Sequence, residues 1–392
     1  MNKIITIGGE HHNGLGLARI FGLNNYEVHS LVVSEKKSNF LSKSKFVKFS
    51  KIFVSEKEAF DYIIENYSEE IEKPFVIPYS DGAALELDNR LDIFKEHFFV
   101  PSISDKQGMI VHLMNKENQY KFAKENNIKM AQTEILNLSE SLNLEKMNLK
   151  FPCILKPIIS AEGDKKDITI CNNNEELNLA IEMLKLKKYK NILLQEYLTV
   201  DYEIDVFGSI CKNSNFISLI PTRTIRAYPP KGGTNSFSQI ITDKDIIRKC
   251  ETIIKTLQKI GFNGLYDIEL FVVGNNVLLN EINFRNSGDD YMALSQGFYY
   301  PIFWVDDILS TICRDKDECT IQKSNNPLRA DFCMTEFADL RNVLKKKCSL
   351  KQWISDYKKT SDFAVKFKGD MKPYYSRLFY YIKQFLKGKK DF

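Results

Sequence analysis

The first 33 residues narrow the choice of folds most. An apolar run over residues 3–7 is followed at once by Gly8, Gly9, Gly14 and Gly16. Leu15, Leu17, Ala18, Ile20 and Phe21 then follow at helical spacing, and a second apolar run covers 27–33. Strand, glycine loop, helix and strand make a βαβ unit. Two parallel strands cannot be joined by a tight turn and need a crossover helix, so this opening implies a parallel sheet covered by helices. Further strands are predicted at 75–78 and 98–100, which closes an α/β domain near residue 105.

Composition removes several classes of function. The 392 residues suffice for two or three domains, and 55 Lys and Arg against 51 Asp and Glu leave a net charge of only +4. That balance argues against a dedicated nucleic-acid binder, which would be far more basic. The five histidines are His11, His12, His29, His97 and His112, so the last 280 residues contain none. Ser-His-Asp and Cys-His chemistry and His-ligated zinc are therefore excluded from that stretch. No two of the eight cysteines (153, 171, 211, 250, 313, 319, 333 and 348) are spaced Cys-x-x-Cys, and they are expected as buried hydrophobes in a reducing cytosol. The N-terminal apolar run is too short for a signal peptide. No uncharged run approaches the roughly 20 residues of a membrane span, so a cytoplasmic location is expected.

Beyond Met114 the texture changes. Asn115 is placed to cap a helix running to about residue 126. A strand is predicted at 151–159, pairing with 168–171, then a helix at 175–186 and a strand at 192–196. Strands at 202–211, 215–221, 264–273 and 276–283 follow, interrupted by a helix over about 243–260. The pattern describes two unlike α+β lobes joined near residue 197, with no internal repeat.

Four groups of residues carry the candidate chemistry. Tyr266-Asp267-Ile268-Glu269 and Leu279-Asn280-Glu281-Ile282-Asn283-Phe284-Arg285 flank an Asn-rich turn and form a predicted hairpin. Strand alternation puts Asp267 and Glu269 on one face, and Glu281, Asn283 and Arg285 on another. Carboxylate and amide oxygens beside an arginine are hard ligands suited to Mg²⁺ with phosphates. The alternative is a solvated polar face, but Val277, Leu278, Leu279 and Ile282 make the second strand mostly apolar, where an unpaired carboxylate is costly. Lys156 ends the apolar strand Cys153-Ile154-Leu155, a place where a lone lysine is ordinarily exposed. Leu194-Gln195-Glu196-Tyr197-Leu198, with Glu203 beyond, reads as a strand running into a hinge. Arg223, Arg226 and Lys231-Gly232-Gly233 form a basic stretch that is either an anion-holding loop or a surface loop.

In this order the four groups resemble the ATP-grasp superfamily over roughly residues 1–330. The resemblance implies an ATP-grasp fold, in which two α+β lobes clamp ATP, preceded by an N-terminal parallel α/β domain. The implied division is 1–105 for that domain, 106–197 for a linker helix and small lobe, 198–330 for a large lobe with the metal site, and 331–392 for a helical extension. It places Lys116 and Lys156 on the phosphates, Gln195, Glu196 and Leu198 around adenine, and Glu203 on the ribose. It makes Glu269, Glu281 and Asn283 ligands of Mg²⁺, or of Mn²⁺, and gives Arg285 the transferred phosphoryl group. Glu269 is preferred to Asp267 because its spacing of twelve residues to Glu281 fits the family better. Arg223 and Arg226 are expected to hold the acceptor carboxylate or the γ-phosphate. Gly14-Leu15-Gly16-Leu17-Ala18-Arg19, Ile77-Pro78-Tyr79-Ser80-Asp81, Met114-Asn115-Lys116 and Arg223-Thr224-Ile225-Arg226 further resemble carboxylate–amine ligases of the D-aspartate ligase type. The loop 158–166 departs from the family pattern in holding a single glycine, Gly163, with Lys165 and Lys166 as candidate replacements.

The implied activity is ATP-dependent amide formation between a carboxylate and an amine through an acyl phosphate, releasing ADP and phosphate. Two other readings compete. A nicotinamide-dependent oxidoreductase is suggested by the first glycines, although Gly8-Gly9 and Gly14-x-Gly16 do not space as Gly-x-Gly-x-x-Gly. A non-catalytic ATP-binding scaffold is opposed by the full set of metal ligands. Small-molecule substrates, no nucleic acid and a homodimer complete the expected partners. Over 374–392, Tyr375, Leu378, Phe379, Ile382, Phe385 and Leu386 fall at helical spacing among basic residues. Such a helix either docks on its own core or makes weak contact with a membrane surface.

Overall fold

Ile4–Gly9 forms strand β1, and Ile4, Ile5 and Ile7 are all buried, as a strand covered on both faces requires. Val28–Val33 (β2), Val47–Phe53 (β3) and Phe75–Pro78 (β4) join it in a parallel sheet of order β3-β2-β1-β4. The computed structural model describes residues 2–35, 39–140, 150–158, 167–230, 233–312 and 327–387, without the side chain of Phe385. The expected βαβ opening is present, its crossover being helix His12–Leu23. β3 was not among the expected strands. Its exposed Lys48 and Lys51 among apolar residues suit its place at the edge of the sheet. The expected strand at 98–100 reduces to a single bridge between Phe99 and Phe75, because the run is confined between helix Leu91–His97 and Pro101. Ser102–Ile103 (β5) follows.

The small lobe is a four-stranded sheet built from Thr133–Asn137 (β6), Cys153–Pro157 (β7), Thr169–Cys171 (β8) and Asn191–Glu196 (β9), in the order β6-β9-β7-β8. β7 and β8 pair antiparallel with Cys153 opposite Cys171, as their patterns predict. Leu177, Ala180, Ile181 and Leu184 of helix Asn174–Leu186 cover Cys153, Leu155, Ile192 and Leu194 of this sheet. The loop residues Gly163, Lys165 and Lys166, with Lys231 and Gly232 further on, lie outside the described residues.

The remaining strands are Tyr202–Cys211 (β10), Phe216–Tyr228 (β11), Thr234–Ile240 (β12), Phe262–Val273 (β13), Asn276–Asn283 (β14), Phe332–Met334 (β15) and Thr360–Phe363 (β16). They run in the order β14-β13-β10-β11-β12-β15-β16, and β5 pairs with β13. β13 and β14 are the expected hairpin, and Gly274 takes the left-handed conformation at its turn (φ +57°). β12, β15 and β16 were not anticipated. The first is rich in Ser, Thr, Asn and Gln, which mark loops when read without neighbours. By compactness, residues 1–110, 204–267 and 283–392 form one unit, and 111–203 with 268–282 form a second. Among the described residues, no helix is long and apolar enough to cross a membrane.

A buried ion pair ties the first helix of the larger unit to the chain's C-terminal part. Arg19, fully buried, donates to Asp370 Oδ2 at 3.2 Å, to the Val365 carbonyl at 2.7 Å and to the Asp370 carbonyl at 3.1 Å. Asp370 also accepts from Ser44 Oγ at 2.7 Å and from the Lys45 N–H at 3.0 Å. Removing one partner leaves an uncompensated buried charge. Asp370→Ala is therefore expected to cost about 3–5 kcal/mol, read as a fall in the urea unfolding midpoint. An unchanged midpoint would contradict this role.

Candidate active site

In the smaller unit the phosphate-type residues come together. Asn115 caps helix Lys116–Glu125, its Oδ1 accepting from the N–H groups of Glu117 (3.0 Å) and Asn118 (3.3 Å). This fixes the first turn of the helix, where the Lys116 ammonium lies 3.7 Å from Glu281 Oε2. Gln119, one turn on, is buried and clasps the backbone of Ile282. It donates to the Ile282 carbonyl at 2.8 Å and accepts the Ile282 N–H at 2.9 Å. The helix and β14 are thus locked in register. β14 also bridges to Met130, and the Leu279 N–H donates to the Lys129 carbonyl at 2.8 Å.

Along β7, Cys153, Leu155 and Pro157 face the core while Ile154 and Lys156 face away. Lys156 Nζ donates to Gln195 Oε1 at 2.9 Å, and Gln195 Nε2 donates to Thr133 Oγ1 at 2.8 Å, a chain across three strands. Burial pushes the Lys156 ammonium down to about 8; the charge of Lys116 adds to this, while Glu281 and Glu269 oppose it. Glu269 Oε2 accepts from Asn280 Nδ2 at 3.0 Å. Two lysines and two carboxylates from the capped helix, β7, β13 and β14 therefore share one electrostatic neighbourhood.

The strand that enters the expected hinge is tied down by side chain and backbone alike. Glu196 accepts the Gln132 N–H on its carboxylate at 2.7 Å and donates its own N–H to the Gln132 carbonyl at 2.9 Å. Leu198 is half-buried and Glu203 is exposed.

A second cluster lies in the larger unit. Because the chain runs from β1 outward to β2 and then returns to the other side of β1 with β4, the C-terminal ends of β1 and β4 flank a switch point, where open parallel sheets bind ligands. His11, His12 and Asn13 follow β1, and Tyr79, Ser80 and Asp81 follow β4. Asn13 Nδ2 donates to the Tyr79 carbonyl at 2.6 Å, and His11 Nδ1 lies 2.9 Å from Asn13 Oδ1. The His11 and His12 rings are 3.9 Å apart. Burial pushes His11 down to about 4 despite its hydrogen bond to Asn13 Oδ1, and the charges of Arg285 and Arg377 contribute. His12 is depressed too, by burial first and then by the proximity of His11 and Arg377. No sequence motif assigns these histidines a role. The signal that marks them is their place directly after the first parallel strand.

Arg285 is held between two carboxylates. Its Nε donates to Asp81 Oδ1 at 2.8 Å and its Nη1 to Asp267, which also accepts from Ser287 Oγ at 3.0 Å. Burial opposes the charge, but Asp267 and Asp81 outweigh it and raise the pKa. Asp267, the competitor of Glu269 as metal ligand, is thus engaged by Arg285.

Arg226 has partners other than the anion expected for it. It grips Asp339 through Nε (3.0 Å) and Nη2 (2.7 Å), and Asp356 through Nη1 (2.6 Å), so burial is again outweighed by carboxylates. The two acids lie more than 100 residues away in sequence, which hid the pairing. Arg226 braces β11, whereas Arg223 is exposed on the same strand.

Gly8, Gly14 and Gly16 serve packing. A Cβ on Gly8 would come within 2.5 Å of the Tyr79 ring, and one on Gly16 within 1.9 Å of Asp290 Oδ1. Packing accounts for three of the four early glycines, which removes the main support for the oxidoreductase reading.

Parts of this chain resemble known proteins. Residues 121–294 match the ATP-grasp domain model. The chain is 28% identical over 178 residues to the formate-dependent phosphoribosylglycinamide formyltransferase of Nitratiruptor sp., covering 44% of each protein. It is 25% identical over 225 residues to the enzyme of the same name from Prochlorococcus marinus, covering 56% of this chain and 55% of the relative. The chain thus spans about half the length of the curated relatives it matches. Its fold is similar to that of N5-carboxyaminoimidazole synthetase from Staphylococcus aureus complexed with ADP (TM-score 0.60, 17% identity, 78% and 79% of the two chains). It is also similar to that of L-amino acid ligase from Bacillus licheniformis (TM-score 0.58, 11% identity, 78% and 73%). These relatives support the broad resemblance and not specifically the D-aspartate ligase-like group. The chain carries an ATP-grasp domain over residues 121–294, preceded by a parallel α/β sheet, and has the ATP-grasp fold.

Proposed function

We propose that the protein is an ATP-dependent carboxylate–amine ligase. The observation that carries this reading is the grouping of Lys116 and Lys156 with Glu269 and Glu281 on a rigid frame in the smaller unit. The two ammonium groups offset phosphate charge, and the half-buried Lys156 does so where water screens it least. The nearby acids and Asn283, which ends the same strand as Glu281, supply only oxygen donors, a set that fits Mg²⁺. Among the described residues, no three His, Cys, Asp or Glu side chains gather as a metal cage. An ion held by Glu269, Glu281 and Asn283 would thus complete its shell with phosphate or water oxygens. Bound there, Mg²⁺ would neutralise charge on the phosphates.

The reaction needs no enzymic nucleophile. A substrate carboxylate oxygen bonds to the γ-phosphorus as the bond to the β–γ bridging oxygen breaks, giving an acyl phosphate and ADP. The amine then attacks the acyl carbon, phosphate departs with the electron pair of the C–O bond, and the ammonium proton passes to solvent. Lys116 and Lys156 steady charge on the phosphates during the first step. Gln195, Glu196 and Leu198 are assigned to adenine and Glu203 to ribose. Arg223 and the pre-oriented Arg285 are assigned to the acceptor carboxylate and the phosphoryl group. The acceptor is assigned to the β1/β4 switch point, beside His11, His12 and Arg285. Relatives named for formate and phosphoribosylglycinamide, and a fold neighbour named an L-amino acid ligase, support small carboxylates and amines as substrates. The motifs after residues 13, 76 and 222 favour an amino-acid carboxylate of the D-aspartate ligase type.

Glu281→Gln and Lys156→Ala are each expected to lower substrate-dependent ADP release at least ~100-fold while circular dichroism stays unchanged. Near-normal release from both variants would overturn the reading. A screen of amino acids against carboxylates, with product mass measured, identifies the pair. ADP release that depends on the carboxylate alone would point to a kinase instead.

Lys156 also sets a pH dependence. In the free protein its ammonium loses the proton as pH rises through about 8, while bound ATP favours the charged form. Above that pH, binding takes up a proton, so the Kd for ATP should rise by up to about tenfold per pH unit. Calorimetry in buffers of differing ionisation enthalpy reads the uptake directly. In Lys156→Met the slope should vanish, and a flat wild-type profile from pH 7 to 9.5 would contradict the assignment.

A further inference from the structure

Helix Lys372–Leu386 has two different sides. One docks within the larger unit: Tyr374 and Tyr381 pack on Phe337 with ring centroids 5.4 and 4.9 Å away, and Arg377 lies over Phe40 at 4.6 Å. The other carries Tyr375, Phe379, Ile382 and Leu386, exposed at 49%, 66%, 45% and 79%. At about 100° per residue these four fall within an arc of roughly 60°, a continuous apolar stripe. Lys372, Lys383 and Lys387, all exposed, follow one edge of it.

Charge in the surrounding segment is sorted in the same sense. Residues 336–387 contain eleven lysines and two arginines against five acids. Each acid is turned to an internal partner. Asp339 and Asp356 hold Arg226, and Asp370 holds Arg19. Glu336 is buried and accepts the Lys366 N–H at 2.7 Å, and Asp362 accepts from Ser295 Oγ. Lys346, Lys347, Lys351, Lys358 and Lys359 are exposed. What this segment presents outward is cationic and, along one helix, apolar.

We propose that the outer side of this helix docks on an anionic lipid surface, with the stripe entering the headgroup boundary and Lys372, Lys383 and Lys387 meeting lipid phosphates and carboxylates. A helix lying in the interface needs an apolar arc flanked by cations and free of acids, and this helix has all three features. An apolar patch of this kind, rimmed by one sign of charge, marks an interaction surface. The proposal does not depend on the ligase reading.

Co-sedimentation of the full chain with vesicles of phosphatidylcholine, with and without about 30% phosphatidylserine, tests it. The protein should pellet with the anionic vesicles, remain in solution with neutral ones, and be released as salt rises. The double variant Phe379→Ser/Ile382→Ser should pellet at least ~5-fold less, and Lys383→Glu/Lys387→Glu likewise, with unfolding midpoints unchanged because all four side chains are exposed. Equal pelleting with both vesicle types, or by wild type and the serine variant, would overturn the proposal. So would a wild type that stays in solution and forms a dimer by light scattering that the serine variant dissociates, since the stripe would then seat a second copy of the chain.

Discussion

A half-buried guanidinium held between two carboxylates fixes the chemistry of the larger unit. Arg285 cannot lose its proton, so burying it demands counter-charge, and Asp81 and Asp267 supply it from the end of β4 and from β13. The demand orders everything near it. It aligns the switch point of the parallel sheet with the chain leaving β14, and it removes Asp267 from the set of carboxylates available to a metal. Two acids two residues apart on one strand are thereby given different work: Asp267 pairs with Arg285, and Glu269 accepts from Asn280 and adds to the field at Lys156.

The same economy of buried charge recurs with a different outcome at Arg226 and Arg19. Both arginines are saturated by aspartates contributed by the last sixty residues. These pairs join the C-terminal segment to β11 and to the first helix, and they consume acids that would otherwise temper the lysines around them. Internal pairing and external charge are therefore one arrangement.

The sequence exposes those parts of the fold and site that depend on local pattern. The βαβ opening, the hairpin, the strand ending in Lys156 and the Asn115 cap all rest on residues within a few positions of each other, and each is present. Partners set by tertiary contact stayed hidden. Asp339 and Asp356 lie far from Arg226 in the chain, and β12 reads as a loop until β11 and β15 flank it. His11 and His12 belong to no motif legible in the sequence, whereas folding brings His11 into the field of Arg285. An apolar run was equally misleading at 98–100, where composition favours a strand but the neighbours leave room for one bridge.

The double clasp of Gln119 on Ile282 has a mechanical consequence. A side-chain amide that satisfies both the N–H and the carbonyl of one strand residue acts as a strut between helix and hairpin. Lys116 stands three residues before that strut and Glu281 one residue before the clasped position, so the two ends of the 3.7 Å ion pair sit on a single girder. Flexing of the smaller unit that keeps this clasp must carry the backbones of both residues together, so only their side chains set the distance between the charges.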